Sequence, residues 1–445
     1  MSHRRVLIVS PHFPPINAPD HQRVRMSLPF FEEFGWRPTV LAVGPGHVEG
    51  TDDPLLERTL PDNVEIVRTG ALPVRWTRRL GLGNLGLRAI PAFWRAGNRL
   101  LARERFDAVY FSTTMFAVMA LGPLWRRRFG VPYVLDFQDP WIQDYYDQPG
   151  AGPPPGGRFK HGFSQWLARR LEPLAMGSVS EVIAVSPAYV QTLRARYPAL
   201  AADRYTVLPF GAPDRDFDSL DSLNVRQTVF DPGDGLRHWV YVGRGGEDMA
   251  VALRLLFTAL AEARQRDPAT WSAVRMHFVG TSYAPADRAE KTVEPLAREC
   301  GVGDLVEERT GRVPYFEALQ SLRQSDAILV IGSDSPGYSA SKLAPCLLAR
   351  RPLLALLHAD SPAVEILRRS RVARVVTFRP EDAKAAAAET TAALLGTVAD
   401  AASPSSTGLD LGQFTAEHGA RAMTARQCEV LDRAVLRLAP CPGEF

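Results

Sequence analysis

Lysine is almost missing from this sequence. Lys160, Lys291, Lys342 and Lys384 are its only lysines, so arginine supplies nearly all of the 52 basic residues and the placement of any one lysine stands out. Cysteine is as sparse: Cys300, Cys346, Cys428 and Cys441 are widely scattered and form no C-x-x-C pair, which excludes a disulfide framework and a cysteine zinc site and points to a reducing compartment. Charge of one sign is not in excess, since 52 basic residues face 49 acidic ones for a net of +3, and this removes any global electrostatic case for nucleic acid. Long hydrophobic runs are also missing. Arg4 and Arg5 begin like a signal peptide, but the apolar run Val6 to Val9 is ended at once by Pro11, Pro14 and Pro15. The window from Phe106 to Trp125 is interrupted by Asp107, Ser112, Thr113 and Thr114 and reads as a strand followed by a helix. A cytoplasmic protein without a spanning segment is expected. No His, Asp and Glu cluster has metal-ligand spacing, so neither a metal nor another cofactor is expected. Asp214-Arg215-Asp216 is a D-x-D sequence, but such short acidic patterns arise often by chance.

What is present is a chain of 445 residues, too long for one ordinary core, with 46% hydrophobic and 23% charged residues, values that exclude a disordered or fibrous chain. β-branched runs alternate with helical patterns. Val6 to Ser10 reads as a buried strand, Gln22 to Phe34 as a helix ending at Gly35, and Pro38 to Val43 as the next strand, which together make a βαβ unit. The alternation continues through strands at 64–68, 108–112, 133–136, 181–186 and 205–209, with helices at 116–129 and 187–197. Gly211 to Arg237 is rich in Asp, Pro, Gly and Ser and reads as a linker. A second series comes after it: strands at 238–243, 274–280, 326–332, 352–357 and 373–378, and helices at 248–266 and 288–301. The reading is α/β: a Rossmann-like domain over 1–210, the linker 211–237, a second Rossmann-like domain over 238–412, and a terminal segment over 413–445 whose helix returns to the first domain.

In open parallel sheets, ligands bind beyond the carboxyl ends of the strands, and anions favour helix N-termini there. Tyr241-Val242-Gly243-Arg244-Gly245-Gly246 runs from a strand into a glycine-rich turn that offers an arginine fork to phosphate oxygens, or is a plain turn with a surface arginine. Ser339, Ser341 and Lys342 open a helix and combine hydroxyls, free N–H groups and a positive charge, or serve as a simple N-cap with an exposed lysine. In the first half, Asp136 and Asp139 end a strand within Leu135-Asp136-Phe137-Gln138-Asp139-Pro140-Trp141, where a carboxylate orients sugar hydroxyls, takes a proton or caps a turn. His12, in Pro11-His12-Phe13-Pro14-Pro15, faces the same side, with Asp20, His21 and Arg23 beyond it and Trp141 close by as candidate acceptor contacts; the proline-rich loop also reads as a rigid connection.

Taken in order, these motifs resemble the retaining glycosyltransferases of the GT-B fold, in the family numbered four. The resemblance rests on the Pro14-Pro15 loop, Asp139-Pro140-Trp141, Ala184-Val185-Ser186-Pro187, Val242-Gly243-Arg244, Ser341-Lys342-Leu343 and the terminal helix. It implies two Rossmann-like domains facing a cleft and transfer of a sugar from a nucleotide-sugar donor to a carbohydrate or lipid-linked acceptor, without metal. By resemblance, Arg244 and Lys342 contact the donor diphosphate, and Gly311-Arg312-Val313-Pro314 borders the nucleobase through its backbone. The chain departs from the family where two glutamates usually stand, since Gly337 and Pro345 occupy those positions, and Glu247, Asp248 and Met249 replace the lysine expected after the glycine-arginine turn. A nucleotide-sugar epimerase of the same fold, and a catalytically silent binding protein, are the alternatives.

Arginine is concentrated between Arg68 and Arg105, where nine arginines meet a single acidic residue, Glu104. Leu87, Ile90, Trp94 and Leu101 are interleaved at roughly helical spacing. Two readings are open: residues 75–105 lie peripherally on an anionic membrane surface, or they form an ordinary domain helix with solvated arginines.

Overall fold

The computed structural model describes residues 3–78, 83–143, 158–282, 284, 288–335, 343–370, 373–402 and 411–438. The chain divides into two compact units, one formed by Met1–Gly211 with Ala416–Phe445, the other by Ala212–Thr415.

The first unit is built on seven parallel strands: β1 (Arg4–Val9), β2 (Trp36–Val43), β3 (Glu65–Thr69), β4 (Ala108–Ser112), β5 (Tyr133–Phe137), β6 (Glu181–Ala184) and β7 (Tyr205–Val207). Their order is β3-β2-β1-β4-β5-β6-β7. Val6, Leu7, Ile8 and Val9 are fully buried because β1 is central and covered on both faces, the reason that a continuous apolar run rather than an alternating one marks it. The order reverses at β1, which pairs with β2 on one side and β4 on the other. That reversal opens a crevice at the carboxyl ends of β1 and β4.

Four helices cover this sheet around the site. α1 (Gln22–Ser27) continues into two tighter turns, Leu28–Phe30 and Glu32–Phe34, and stops at Gly35, whose φ of 78° suits glycine. α2 (Leu85–Arg103) buries Leu85, Ala89, Phe93 and Leu101 against the sheet, with Ile90, Trp94 and Leu100 packed on the same core. Its apolar side is therefore spent on the domain, and Arg95, Arg99 and Arg103 stand on the exposed face, as in the ordinary-helix reading of this stretch. Gly97 lets α2 approach Trp125; a Cβ there would lie 2.2 Å from the ring. α3 (Arg158–Met176) is hidden in the sequence, because Pro173 and the glycine- and proline-rich run before it mask its periodicity. α4 (Ala420–Leu436) packs on the first unit, where Arg433 and Arg437 both pair with the buried Glu181. No helix among the described residues is long and apolar enough to cross a membrane.

The second unit has six parallel strands, β8 (Arg237–Val242), β9 (Val274–Val279), β10 (Val306–Arg309), β11 (Ala327–Ile331), β12 (Leu353–His358) and β13 (Ala373–Phe378), ordered β10-β9-β8-β11-β12-β13. β10 is absent from the sequence reading because Glu307 and Glu308 make it look polar. Glu308 is in fact buried, and its carboxylate accepts from the Thr281 hydroxyl and from the N–H groups of Thr292, Val293 and Glu294. That carboxylate caps the short helix Glu294–Glu299, which is all that forms of the helix expected over 288–301. Within the stretch expected as linker, Asp214–Ser219 is helical and Asp216 is buried, accepting the Tyr315 hydroxyl at 2.7 Å.

At the amino-terminal edge of this sheet His238 and His277 share a hydrogen bond of 3.0 Å, flanked by Asp234 on one side and Glu307 on the other. Burial lowers the His277 pKa to about 4 against the opposing pull of Glu307, and burial lowers that of His21 in the first unit to about 4 as well. Both folded values lie below the unfolded value of 6.5, so the unfolded chain takes up protons first on acidification. The stability these neutral rings allow is complete above about pH 6.5 and is lost as pH falls towards 4. Urea midpoints should drop between pH 7 and pH 5, and His277→Phe should flatten part of that slope, leaving the part due to His21. Equal slopes in the two proteins would contradict the assignment.

Candidate functional site

At the carboxyl end of β1 the chain turns through Pro11 to Asp20. Ser10 donates to the His12 carbonyl at 2.9 Å and fixes the loop. The His12 Nδ1 then lies 2.9 Å from Asp20 Oδ1. Asp20 is buried, and its second oxygen accepts from the Thr113 hydroxyl at 2.9 Å and from the Thr114 N–H and hydroxyl, each at 3.2 Å. Burial by itself would raise the Asp20 pKa, but the hydrogen bond and charge of His12, the charge of His21 and the Thr113 hydroxyl outweigh it, and the net shift is downward. An ionised Asp20 holds the proton of His12 on Nδ1 and leaves Nε2 as the acceptor nitrogen. Asp139, beyond the end of β5, is an exposed residue whose carboxyl pKa is raised, first by loss of water to the surrounding protein and then by the charge of Asp20.

Asp136, Arg23 and His21 do not reach this surface. Asp136 and Arg23 have side chains with no exposure at all, and Arg23 Nε lies 2.9 Å from Asp136 Oδ2. The same oxygen accepts from Tyr110 at 2.9 Å and Ser112 at 2.7 Å. Arg23 also donates to the carbonyls of Leu208 and Pro209 and lies over the Phe210 ring. His21 is fully buried and donates Nε2–H to the Ile16 carbonyl at 2.8 Å. The expectation that Asp136 acts on substrate and that His21 and Arg23 touch the acceptor is therefore corrected: closed off from solvent, they position the loop that carries Asp20 and His12. Asp20 is likewise a support, since its oxygens are taken by His12, Thr113 and Thr114.

Trp141 does line open space. It stacks on Phe116 with ring centroids 5.5 Å apart, and both border a cavity of about 720 Å³ between α2 and α3. Thr114 lines the same cavity, which ties it directly to the His12–Asp20 pair. Nothing in the sequence marks Thr114, Phe116 or Phe163 as site residues; Phe163 lies on the hidden α3, and a threonine at a strand end carries no signal of its own.

In the second unit, Gly243 and Gly245 come after β8. A Cβ on Gly243 would lie 2.4 Å from the Tyr241 hydroxyl, which donates to the Arg244 carbonyl, so the turn requires glycine there. Arg244 forms a two-pronged pair with Asp248, at 2.8 and 2.6 Å. The Arg244 hydrogen bond is the main cause of the lowered Asp248 pKa. The Asp334 N–H, after β11, donates to the Asp248 carbonyl, and the Asp334 carboxyl pKa is raised by burial and then by the charge of Asp248. His358 is buried at the end of β12, its Nδ1 accepting from the Asp360 N–H. Arg312 is exposed and Val313 half-buried in the loop after β10, with the Arg312 stem beside Gly280. Ser339, Ser341 and Lys342 lie outside the described residues, as does Gly337. Asp334 and His358 escape notice in the sequence because neither belongs to a motif; only their position at strand ends marks them.

Thirteen parallel strands in two units, each with its order reversing at a central strand, now stand beside known proteins. The N-terminal domain of Candida albicans trehalose-6-phosphate phosphatase superposes with a TM-score of 0.58 at 14% identity, covering 96% of this chain and 97% of that one. Anabaena HepE in complex with UDP and glucose gives 0.56 at 16% identity, covering 97% and 100%. Sucrose-phosphate synthase from Thermosynechococcus elongatus gives 0.53 at 15% identity, covering 98% and 97%.

The fold is GT-B.

At such identities the GT-B likeness speaks for fold alone. Residues 22–211 also match the family model of the glycosyl transferase 4-like domain, a span contained in the first unit. No curated protein matches the chain.

The two aspartates near the end of β5 should separate cleanly on mutation. Asp136→Ala leaves Arg23 buried without its partner and should cost about 3–5 kcal/mol of stability. Asp139→Asn, at an exposed position, should leave unfolding unchanged and lower turnover by about 10²–10⁴-fold if its carboxyl takes part in proton transfer. Denaturant curves with an activity assay test both, and a stable Asp136→Ala protein would overturn the structural role.

Proposed function

We propose that this chain transfers a sugar from a nucleotide-sugar donor to a carbohydrate or lipid-linked acceptor, without metal, in polysaccharide or glycoconjugate biosynthesis. The observation that carries the reading is the His12–Asp20 pair, held at a strand-order reversal inside the unit that matches the glycosyl transferase 4-like model. The first unit would hold the acceptor. Its hydroxyl would bond to the anomeric carbon as the bond from that carbon to the diphosphate breaks, and the hydroxyl proton would leave to a base. The second unit would hold the donor, with Arg244 and Lys342 drawing the charge that develops on the departing diphosphate, Ser339 and Ser341 donating hydroxyls, and Arg312 and Val313 bordering the base. The protein's contribution would be positioning and charge stabilisation.

Resemblance to the family numbered four implies retention. A specific observation favours a second reading. Among the described residues His12 makes no hydrogen bond beyond Ser10 to its carbonyl and Nδ1 to Asp20, so Nε2 remains available as a base for the attacking hydroxyl, and a single displacement assisted in that way inverts the anomeric centre. The anomeric configuration of the product, read from its NMR coupling constant, decides between the two.

Thermal shift with UDP, GDP, ADP and dTDP tests donor binding, because a ligand of the native state must raise its apparent stability. UDP is the first to try, being the nucleotide bound in HepE. We expect one of the four to stabilise the protein, Arg244→Ala to weaken that effect, and activity to survive EDTA; free nucleotide should be released only when acceptor is present, which an epimerase would not require. Loss of activity on chelation with recovery on Mn²⁺ would contradict metal independence. Asp248 competes with phosphate for Arg244. Asp248→Ala should therefore tighten nucleoside diphosphate binding by up to about fivefold, the worth of an exposed ion pair, and unchanged or weaker binding would show that Arg244 does not meet the phosphates.

A further inference from the structure

We infer that three neighbouring helices of the first unit, α2, Leu121–Phe129 and α3, present a docking face for an anionic lipid bilayer. The inference is independent of the transferase reading, because it invokes neither donor nor acceptor. The three helices pack side by side on one core of the first sheet. Gly97 of α2 lies against Trp125, Arg128 lies over the Trp94 ring, and Arg126 donates to the Ser178 carbonyl just beyond α3.

The charge they turn outward is of one sign. Arg95, Arg99 and Arg103 on α2, Arg127 and Arg128 on the middle helix and Arg170 on α3 are all exposed. None of these six forms an ion pair among the described residues. Glu172 is the one acidic residue on the three helices, and it is fully buried, accepting from Arg196 and Tyr197. The chain as a whole carries only +3. On the opposite face of the same sheet the arginines of α4 are answered, Arg421 by Glu33 and both Arg433 and Arg437 by Glu181. Unanswered cations are thus a feature of one face.

Apolar side chains stand among these arginines. Trp76 and Trp166, 66% and 54% exposed, are the two exposed tryptophans of the chain's eight, and Leu124 and Leu174 are exposed beside them. Trp76 sits at the start of α2, where the neighbouring Leu72 exchanges hydrogen bonds with Arg88. Arg75 lies over the Trp76 ring and Arg170 over the Trp166 ring. Leu174 comes one helical turn after Arg170, and Leu124 one turn before Arg128. A protein–protein contact gathers its apolar residues into a core and leaves charge to the rim, whereas here the two are interleaved. Nucleic acid or an acidic polysaccharide would meet the arginines but offers a leucine nothing to enter. A bilayer supplies both phases: phosphate headgroups for the arginines, acyl chains for the leucines and the boundary between them for the tryptophans. The buried apolar side of α2 takes no part, so the contact is made by the outward residues of three helices and not by residues 75–105 alone.

The test is co-sedimentation of the full chain with vesicles of phosphatidylglycerol and phosphatidylcholine in equal parts, beside phosphatidylcholine alone. Affinity should be at least about tenfold higher for the mixed vesicles and should fall to the neutral level in high salt, since several arginines act there across a short screening length. Arg99→Glu combined with Arg127→Glu, at exposed positions without ion pairs, should lower binding to the mixed vesicles by about tenfold or more. Leu124→Ser combined with Leu174→Ser should also weaken vesicle binding, while leaving retention on heparin, which has no apolar phase, unchanged. Circular dichroism checks the folding of both variants. Equal binding to the two kinds of vesicle, or unchanged affinity in either folded variant, would overturn the inference. Retention on heparin or duplex DNA without binding to vesicles would overturn it as well and assign the face to a soluble polyanion.

Discussion

The arrangement of the first unit depends on one buried ion pair, Arg23 with Asp136. Neither side chain has any contact with solvent, and the two come from α1 and the interior strand β5. A charge so placed is tolerated when it is paired and hydrogen-bonded. Asp136 Oδ2 meets Arg23, Tyr110 and Ser112, and Arg23 also donates to the carbonyls of Leu208 and Pro209. Tyr110 in turn accepts from Gln427 on α4, and Gln427 accepts from Ser27 at the end of α1. The returning helix, the strand ends and the loop carrying Asp20 and His12 are thus joined in one network. Loss of any member would leave a buried polar group unmet, which gives the ensemble its single geometry.

This network explains a division of labour that burial alone makes visible. Of the polar residues gathered at the β1 and β5 ends, the inner set, Asp136, Arg23 and His21, is sealed, and the outer set, His12 and Asp139, meets solvent. Asp20 and Gln138 are the hinge between them: Gln138 donates both to the Asp20 carbonyl and to Ser112, which itself donates to Asp136. Charge at the surface is consequently set from beneath. The pKa of Asp20 is lowered by His12, His21 and Thr113 against its burial, while that of Asp139 is raised first by loss of water and then by the Asp20 charge.

The sequence disclosed the sheets well, because central parallel strands are continuous apolar runs and their helices carry the complementary period. Twelve of the thirteen strands are read within a few residues of their ends; β10 escaped because a buried glutamate looks the same in sequence as an exposed one. Site residues were legible by type and region but not by depth. Asp136 and Asp139 belong to one motif and are indistinguishable in sequence, yet β5 turns the first into the core and releases the second. The α2–α3 cavity was out of reach for a different reason: its walls come from residues 78 to 171 through tertiary packing, and no local spacing encodes their meeting.

The second unit shows how a departure from a family pattern can be absorbed. Where resemblance leads one to expect a lysine after the glycine-arginine turn, Asp248 stands, and it takes both prongs of Arg244. An arginine left unpaired beside Gly245 would sample many rotamers, whereas the pair at 27% and 45% side-chain exposure holds the guanidinium at the turn at little cost in desolvation. Both prongs of Arg244 are thus taken by a carboxylate, and the backbone of Asp334 is tied to the same residue. Burial and the charge of Asp248 raise the Asp334 carboxyl pKa, so the Arg244 fork stands beside two carboxylates that hold one another's charge in check.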